Sequence, residues 1–349
     1  MRMSSPRAVA VLLVAAAASP VRPAPLAAQT SPYHLTKQIV LGGEGGWDYL
    51  IADGVAHRLY VSHGTRVEVV DLRGDTAVGA ILNTPGVHGI AFAEALGRGF
   101  TSNGRDSTVT IFDLMTLATI GTVNVGARNP DAIIYDPASR RVFTMNGGSG
   151  NATAVDGATG AVAGTVTLDG RPEFAVADGR GRVYVNLEDS NAVVAFDART
   201  LRVQGRWSLA PCEGPSGLAM DRERRRLFSV CGNGVMAVMD ADNGRIVATL
   251  PIGRGVDAAA FDPGTDLAFA SCGADSVLTV VHEDDPNHYT VVANVPTRRG
   301  ARTMALDPTT HRVFLSTAEF GPAPAPTPER PRPRPTILPG SFRVLVLER

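Results

Sequence analysis

The amino-acid sequence predicts an all-β fold, a seven-bladed β-propeller with four antiparallel strands in each blade, and three observations support this prediction. A basic, an aliphatic and an aromatic residue recur together, with two degenerate copies, at steps of 40 to 45 residues, which is the repeat length of propeller blades. The surrounding segments alternate apolar with polar residues, as half-buried strands do. Seven such repeats occupy nearly all of the 349 residues, with aromatics at Tyr60, Phe100, Phe143, Tyr184, Phe228, Phe269 and Phe314.

The four strands of each repeat follow from the same alternation. In the first repeat they fall at residues 49–52, 59–62, 67–71 and 78–82, from the innermost strand a to the outermost strand d. The third strand of five repeats ends in an aspartate, and a short carboxylate at this point is expected to accept hydrogen bonds from the amides of its own turn. These turn residues are Asp71, Asp113, Asp156, Asp197 and Asp240.

The two ends of the chain are predicted to meet in blade seven. Residues 304–306, 313–316 and 342–347 supply three strands of this blade, and residues 33–41 alternate like its missing outer strand. An N-terminal outer strand is therefore expected to complete blade seven, which closes the ring without a weak seam.

A proline- and arginine-rich segment, residues 321–340, interrupts blade seven between its second and third strands. Because proline cannot continue a central strand, this segment is predicted to be an extended loop with polyproline II geometry. Two interpretations remain open. The loop is either a stiff surface insertion, which a fold tolerates at small cost, or a cover over the binding face.

Residues 1–28 have the pattern of a secretory signal peptide, with Arg2 and Arg7 before an apolar run and the small pair Ala27-Ala28 at the end. The run is shorter than the ~20 residues that span a bilayer, so no membrane span is predicted. The protein is expected to be periplasmic or secreted, with residues 33–349 as one domain. Its 33 basic and 34 acidic residues nearly balance, which argues against a nucleic-acid partner.

The residues that begin the innermost strands are predicted to ring one mouth of the central channel. Aligning the repeats places four carboxylates, one imidazole, one hydroxyl and one guanidinium there: Asp48, His88, Asp131, Glu173, Ser216, Asp257 and Arg302. Converging carboxylates raise one another's pKa values, so Arg302, a bound cation or water must offset the repulsion. A wet channel of purely structural role and a ligand site are both compatible with this pattern.

Carboxylates and imidazole are the usual ligands of divalent cations in proteins. The candidate metal ligands are accordingly Asp48, His88, Asp131, Glu173 and Asp257, and a divalent metal ion is the only cofactor predicted. Arg302 and Ser216 are candidate contacts to a small polar ligand. The neighbouring Trp47 and Phe174 are expected either to form an apolar wall for that ligand or to pack between blades.

Two histidines are candidate catalytic residues. His63 ends the second strand of the first repeat, and His88 begins the first strand of the next, so the pair could meet over the funnel. Together they could hold a transition metal or act as acid and base. The alternative is that each imidazole simply hydrogen-bonds one loop residue and has no catalytic role.

Cys212 and Cys231 are predicted to form a disulfide, because they flank the innermost strand of one repeat on the same face. This bridge would close a segment of ~20 residues and stabilise the fold by about 3 kcal/mol in the chain-entropy view. A Cys231–Cys272 bridge between adjacent blades is the competing possibility.

The repeats resemble the YVTN-type (YncE-like) β-propeller repeat family of exported bacterial proteins. The resemblance covers residues 33–349 and is carried by Arg58-Leu59-Tyr60-Val61-Ser62, by residues 191–197 and by residues 126–136. It implies a propeller, with binding or scaffolding roles at least as readily as catalysis. No residue set matches the catalytic motifs of the lactonases and the streptogramin lyase among similar seven-bladed proteins.

Three functional hypotheses follow. The favoured one is an exported monomeric binding or scaffold protein whose acidic funnel takes a divalent metal ion or a small polar ligand. The second is a metal-assisted lactonase or lyase with a funnel histidine as base. The third is a protein-interaction platform that uses its rim or the proline-rich loop as a polyproline ligand.

Overall fold

A computed structural model describes Met1 and residues 33–327, 333 and 335–349. The predicted signal peptide therefore lies, apart from Met1, outside the described residues. The described chain forms seven four-stranded antiparallel sheets, so the predicted seven-bladed β-propeller is confirmed. In addition, a 3-10 helix spans Glu94–Leu96.

In chain order the strands are β1 (His34–Val40), β2 (Trp47–Asp53), β3 (Arg58–His63), β4 (Arg66–Asp71), β5 (Thr76–Ile81), β6 (Val87–Ala93), β7 (Arg98–Asn103), β8 (Thr108–Asp113), β9 (Thr119–Asn124), β10 (Pro130–Asp136), β11 (Arg141–Asn146), β12 (Asn151–Asp156), β13 (Val162–Thr167), β14 (Pro172–Ala177), β15 (Arg182–Leu187), β16 (Ala192–Asp197), β17 (Val203–Ser208), β18 (Pro215–Asp221), β19 (Arg226–Cys231), β20 (Val235–Asp240), β21 (Ile246–Pro251), β22 (Val256–Asp262), β23 (Leu267–Cys272), β24 (Val277–Asp285), β25 (His288–Pro296), β26 (Thr303–Asp307), β27 (Arg312–Thr317) and β28 (Arg343–Glu348). Blades one to six comprise β2–β5, β6–β9, β10–β13, β14–β17, β18–β21 and β22–β25.

Blade seven joins the two ends of the chain, as predicted. Its sheet has the order β26, β27, β28 and β1, so the N-terminal strand is the outer strand. Strand β1 pairs with β28 from His34 opposite Glu348 to Val40 opposite Arg343. The hydroxyl of Tyr33 also donates a hydrogen bond to the carbonyl of His311, at 2.8 Å, within the same blade.

The hydrophobic core lies between successive blades. All seven motif aromatics, from Tyr60 to Phe314, have 0% exposure, because the second strand of each blade is covered on both faces. Their clusters combine residues of neighbouring blades, as where Trp47 and Leu59 of blade one pack with Phe314 and Val344 of blade seven. Burial of this kind is the main favourable term in folding, so each repeat depends on its neighbours for stability.

In five of the repeats the basic residue of the motif connects one blade to the next. The guanidinium of Arg58 donates to the carbonyl of Leu114 in blade two, at 2.7 Å, and that of Arg141 donates to Ala198 in blade four, at 2.9 Å. Arg312 reaches Leu72 of blade one at 3.2 Å and so joins the last blade to the first. These contacts satisfy turn carbonyls that the strands leave unpaired.

The turn aspartates behave as predicted. The Asp71 carboxylate accepts hydrogen bonds from the amides of Arg73 and Gly74, at 2.8 and 2.9 Å. The same pattern recurs at Asp113, Asp156 and Asp197, and Asp240 accepts from the amide of Asp242. These carboxylates therefore have structural roles in their turns.

The proline-rich insertion leaves the sheet between β27 and β28. At its base the chain is not purely polyproline II, because Phe320 and Ile337 form an isolated antiparallel bridge and the amide of Gly321 donates to the carbonyl of Thr336 at 2.8 Å. Within the described ranges, no helix is long and apolar enough to cross a membrane.

Candidate metal site in the funnel

A recurring β-bulge positions the residues at the channel mouth. In blade one the pairing of β2 with β3 shifts between Trp47 and Leu50, and the innermost strands of blades two to six carry the same shift. A bulge leaves residues unpaired and changes the direction of a side chain. It is therefore the local feature that lets Asp48 and its counterparts face the channel instead of a neighbouring sheet.

Three of these side chains, from consecutive blades, converge. Nδ1 of His88 donates a hydrogen bond to Oδ2 of Asp48 at 2.6 Å and lies 3.6 Å from Oδ1 of Asp131. One ligand atom from each residue lies within 4.8 Å of the others. This arrangement of two carboxylates and one imidazole could hold a metal ion, and we refer to it as the metal triad.

The opposite side of the funnel carries the remaining acidic residues. Nε of Arg302 donates to Oδ2 of Asp257 at 2.6 Å. The Glu173 carboxylate is 3.9 Å from Arg171, which itself pairs more closely with Glu188, at 2.9 Å. Among the described residues, none hydrogen-bonds Oε2 of Glu173, which is buried. Asp257 therefore has a close, hydrogen-bonded cation, whereas Glu173 has only the more distant Arg171.

Burial and mutual repulsion perturb the pKa values of the funnel carboxylates. Burial, despite the proximity of His88, raises the pKa of Asp131 to about 7. Burial and the charges of Asp131 and Asp257 raise the pKa of Glu173 to about 8. Burial also raises the pKa of Asp257 to about 6, although Arg302 opposes the change. Burial therefore disfavours the ionised form of all three carboxylates.

His88 responds in the opposite direction. Burial lowers the pKa of its imidazole, but the hydrogen bond to Asp48 and the charge of Asp131 outweigh this and raise it to about 9. In the metal-free protein this imidazole therefore carries its proton at neutral pH. A protonated imidazole cannot accept a proton, so the raised pKa of His88 argues against its use as a general base.

The funnel encloses a cavity of about 560 Å³. Its walls include Asp48, Glu173, Asp257 and Arg302, and its rim includes three residues that the sequence analysis did not single out, namely Arg299, Phe320 and Pro335. Phe320 and Pro335 belong to the base of the proline-rich insertion. The described part of this insertion thus contributes one wall of the funnel.

Tyr49 and Phe174 form the floor of the funnel. Their rings lie 5.0 Å apart in an edge-to-face arrangement, although the residues come from blades one and four. Burial and the charges of Asp131, Asp48, Asp257 and Glu173 raise the pKa of Tyr49 well above its ordinary value, so its side chain lies among all four carboxylates. Sequence reasoning missed Tyr49.

A signal for this floor is present in the sequence. The residue after each ring position is aromatic in only two repeats, at Tyr49 and Phe174, and is small in the other five, which have Gly89, Ala132, Gly217, Ala258 and Thr303. Small residues leave room at the axis of a propeller, where inward-facing side chains fill a tapering space. The aromatic rings of Tyr49 and Phe174 can therefore extend across the central channel.

Three other candidate residues lie outside the metal triad. The hydroxyl of Ser216 donates weakly to two backbone carbonyls, at 3.4 Å each. Trp47 packs against Phe342, with ring centroids 5.3 Å apart, and so fills the space between blades seven and one. His63 is 2% exposed and stacks on Phe342 with centroids 4.3 Å apart.

The contacts of His63 are with Glu68 and Phe342. The nearest charged group to His63 is Glu68, whose Oε1 lies 3.6 Å from Nδ1 of the imidazole. Strand β3 ends within the packing between blades, and the large Phe342 ring occupies the space beside His63. The structure therefore leaves His63 no access to a substrate in the funnel.

The structure pairs Cys212 with Cys231 in a disulfide, with Cα atoms 5.6 Å apart. Cys272 is free and buried, so the competing Cys231–Cys272 pairing is wrong. Disulfides persist mainly in oxidising compartments, and this one is typical of a protein outside the cytoplasm.

The fold and the funnel define the class of this protein, a seven-bladed β-propeller with a polar, largely acidic opening at one end of its channel. No protein-family model matches the chain, and no curated protein matches it. Many solved structures share the fold.

Three of these structures illustrate the likeness. Hydrazine synthase of Kuenenia stuttgartiensis is 14% identical with a TM-score of 0.69, over 77% of this chain and 92% of that chain. The RRP9 WD40 repeats are 9% identical with a TM-score of 0.76, over 92% and 99%. A chain of a mitotic checkpoint complex is 14% identical with a TM-score of 0.71, over 88% and 95%. At these identities the likeness shows the fold alone.

Proposed function

We propose that this protein is an exported β-propeller binding protein, of the YVTN type, whose funnel binds a divalent transition-metal ion. The observation that carries this proposal is the convergence of Asp48, His88 and Asp131, from three consecutive blades, within 4.8 Å. The disulfide and the signal-like N-terminus support a periplasmic or secreted location, and the repeat motif supports the family.

The donor set favours a transition metal over calcium or magnesium. Calcium and magnesium are bound by oxygen atoms, whereas an imidazole nitrogen beside carboxylates suits zinc, manganese or iron. Ligands ~2.1 Å from a tetrahedral ion lie ~3.4 Å from each other. The distances from Nδ1 of His88 to Asp48 and Asp131, 2.6 and 3.6 Å, are each within about 1 Å of that value. The ion would replace the proton that His88 shares with Asp48.

The charge balance of the funnel also supports a cation. Among the residues that begin the innermost strands, four carboxylates face the guanidinium of Arg302 and the imidazolium of His88, an excess of two negative charges when all six groups are ionised. Buried charges are normally paired or bound to metal ions. Glu173, whose Oε2 lacks a hydrogen bond to any described residue and lies 3.9 Å from Arg171, is a further candidate oxygen donor, and Arg302 pairs with Asp257.

The test is calorimetric titration of chelator-treated protein with Zn²⁺ and Mn²⁺, together with metal analysis of protein purified without chelator. Asp131→Asn and His88→Ala should each weaken binding at least tenfold. The control is His282→Ala, because His282 and Asp284 form a similarly short pair, 2.7 Å, at the exposed end of β24. Metal-free purified protein that gives no binding heat with either ion would contradict the proposal.

Gly104→Ala is a second variant that leaves every ligand in place. A methyl group at Gly104 would lie 2.6 Å from Nε2 of His88 and 2.8 Å from Oδ1 of Asn129, so the imidazole must leave its present position between Asp48 and Asp131. Gly121→Ala is the matched control, since nothing lies within 4 Å of its added carbon. Gly104→Ala should weaken metal binding while the melting temperatures of both variants stay close.

A further inference from the structure

A second cavity, of about 550 Å³, lies on the other side of the floor formed by Tyr49 and Phe174. It is bounded by the later residues of the innermost strands and therefore opens at the mouth opposite the funnel. Its walls are mainly apolar and include Ile51, Phe92, Ile134, Val176, Phe261 and Leu306. The volume is in the range of small-molecule sites, which are concave and mostly apolar with a few polar groups.

The polar group that stands out in this wall is Arg222, in the turn after β18. Its Nε donates to the carbonyl of Ala177 at 3.0 Å, and the residue as a whole is exposed, so its guanidinium is accessible at the mouth of the cavity. Within the described ranges, no carboxylate forms an ion pair with it. The other arginines of the same turn do have such partners: Arg224 contacts Asp266, Arg225 contacts Asp178, and Arg226 contacts Asp240.

We propose that this cavity binds a small amphipathic anion, with its apolar body between the strands and its carboxylate on Arg222. A guanidinium beside apolar walls gains most from a carboxylate, which it can bind through two parallel hydrogen bonds. The one acidic residue in the described wall is Glu94, in blade two, far around the ring from Arg222 in blade five. The negative charge of Glu94 disfavours a ligand with several negative charges. The expected ligand therefore carries one carboxylate on a long or aromatic apolar body.

This site is independent of the metal triad. The two cavities share no lining residue, and no residue of the triad lines the second one. Removal of a metal ligand by Asp131→Asn should therefore leave binding of the anion unchanged, so failure of either proposal is distinguishable from failure of the other.

The experiment compares decanoate with decanol, which have the same apolar chain and differ in charge, by calorimetry on the full-length protein. Arg222→Leu should weaken decanoate binding about tenfold and leave decanol binding unchanged. Arg245→Leu is the control, because Arg245 is exposed like Arg222 but lies outside the cavity wall. Ala260→Phe, which fills the cavity from β22, should abolish binding of both compounds while a cooperative melting transition shows that the variant is folded.

Two results would overturn the proposal. If neither compound binds the wild-type protein, the channel holds only water. If decanoate binds Arg222→Leu and wild-type protein equally, the guanidinium does not recognise the carboxylate.

Discussion

Individual buried carboxylates set how this protein responds to pH, and Glu283 is the clearest case outside the funnel. Its side chain is buried between blades five and six, where Oε1 accepts a hydrogen bond from the hydroxyl of Tyr289 at 3.2 Å. Oε2 lies 3.7 Å from Arg224, a guanidinium that also contacts Asp266 and Asp221. Burial and the charge of Asp221 outweigh Arg224 and raise the pKa of Glu283 to about 7.

Glu283→Gln should remove one part of the pH dependence of stability. The folded-state pKa of about 7 lies above the ordinary value of 4.5, so between these values the folded state binds more protons than the unfolded state. Stability from this group is therefore present at low pH and lost as pH rises through about 7. Urea unfolding should show the variant more stable than the wild type at pH 8 and nearly equal at pH 5.

The exposed Glu213 offers the control for this experiment, since Glu213→Gln should change neither value. A Glu283→Gln protein that is less stable than the wild type at pH 8 would show that the ionised carboxylate is stabilised by Arg224 instead of penalised by burial.

For individual residues, the sequence predicted which side chains would line the funnel better than it predicted the contacts that each one makes. Asp48, His88 and Asp131 were found by aligning repeats, because a polar residue at the start of a buried strand is conspicuous. The position of His63 was not predictable, since it depends on the Phe342 ring, which comes from the far end of the chain. Tyr49 was overlooked because its role emerges only when seven positions are compared.

Among the structural elements, the bulge at the start of the innermost strand in blades one to six and the loop before β18 determine the shape of the mouth. The bulge has no marked sequence signature, because it is set by pairing with the neighbouring strand, and it was not predicted. The disulfide was predicted, because its two cysteines flank one innermost strand. It fixes the loop that carries Cys212 to Cys231 at the end of β19.

Replacement of both cysteines by serine should therefore destabilise the propeller. The bridge spans 19 residues, and loss of a cross-link of this span lowers the free energy of unfolding by about 3 kcal/mol, because the unfolded chain regains its freedom. Denaturant unfolding with and without a reducing agent provides the measurement. The reductant should destabilise the wild type and leave the double variant unchanged, and equal stability of all four samples would show that the loop is held by other contacts.

The whole molecule is a closed ring of blades. The sequence predicted this ring well because the blades are sequence repeats. Seven equal repeats, each with an apolar second strand, can bury their aromatics only between neighbours. The arginine of the motif adds hydrogen bonds from blade to blade, a role that the sequence pattern could not reveal, since its partners are backbone carbonyls. The two cavities were less predictable, because they depend on which side chains cross the central axis.

Ring closure by β1 is the property of the whole molecule most open to test. A chain that begins at residue 42 lacks β1, so the outer edge of β28 loses its partner and the burial of Ile39, worth about 2 kcal/mol, is lost. Compared with a chain that begins at residue 29, it should melt at a lower temperature and aggregate, since an unpaired strand edge recruits other chains.

A synthetic peptide of residues 33–41 should then restore the melting temperature by adding a strand to β28, whereas a scrambled peptide of the same composition should not. Both effects follow from the register in which Lys37 to Val40 pair with Val346 to Arg343. Equal melting temperatures for the two chains would mean that three strands suffice for blade seven and that the ring is held by the arginine contacts and inter-blade packing alone.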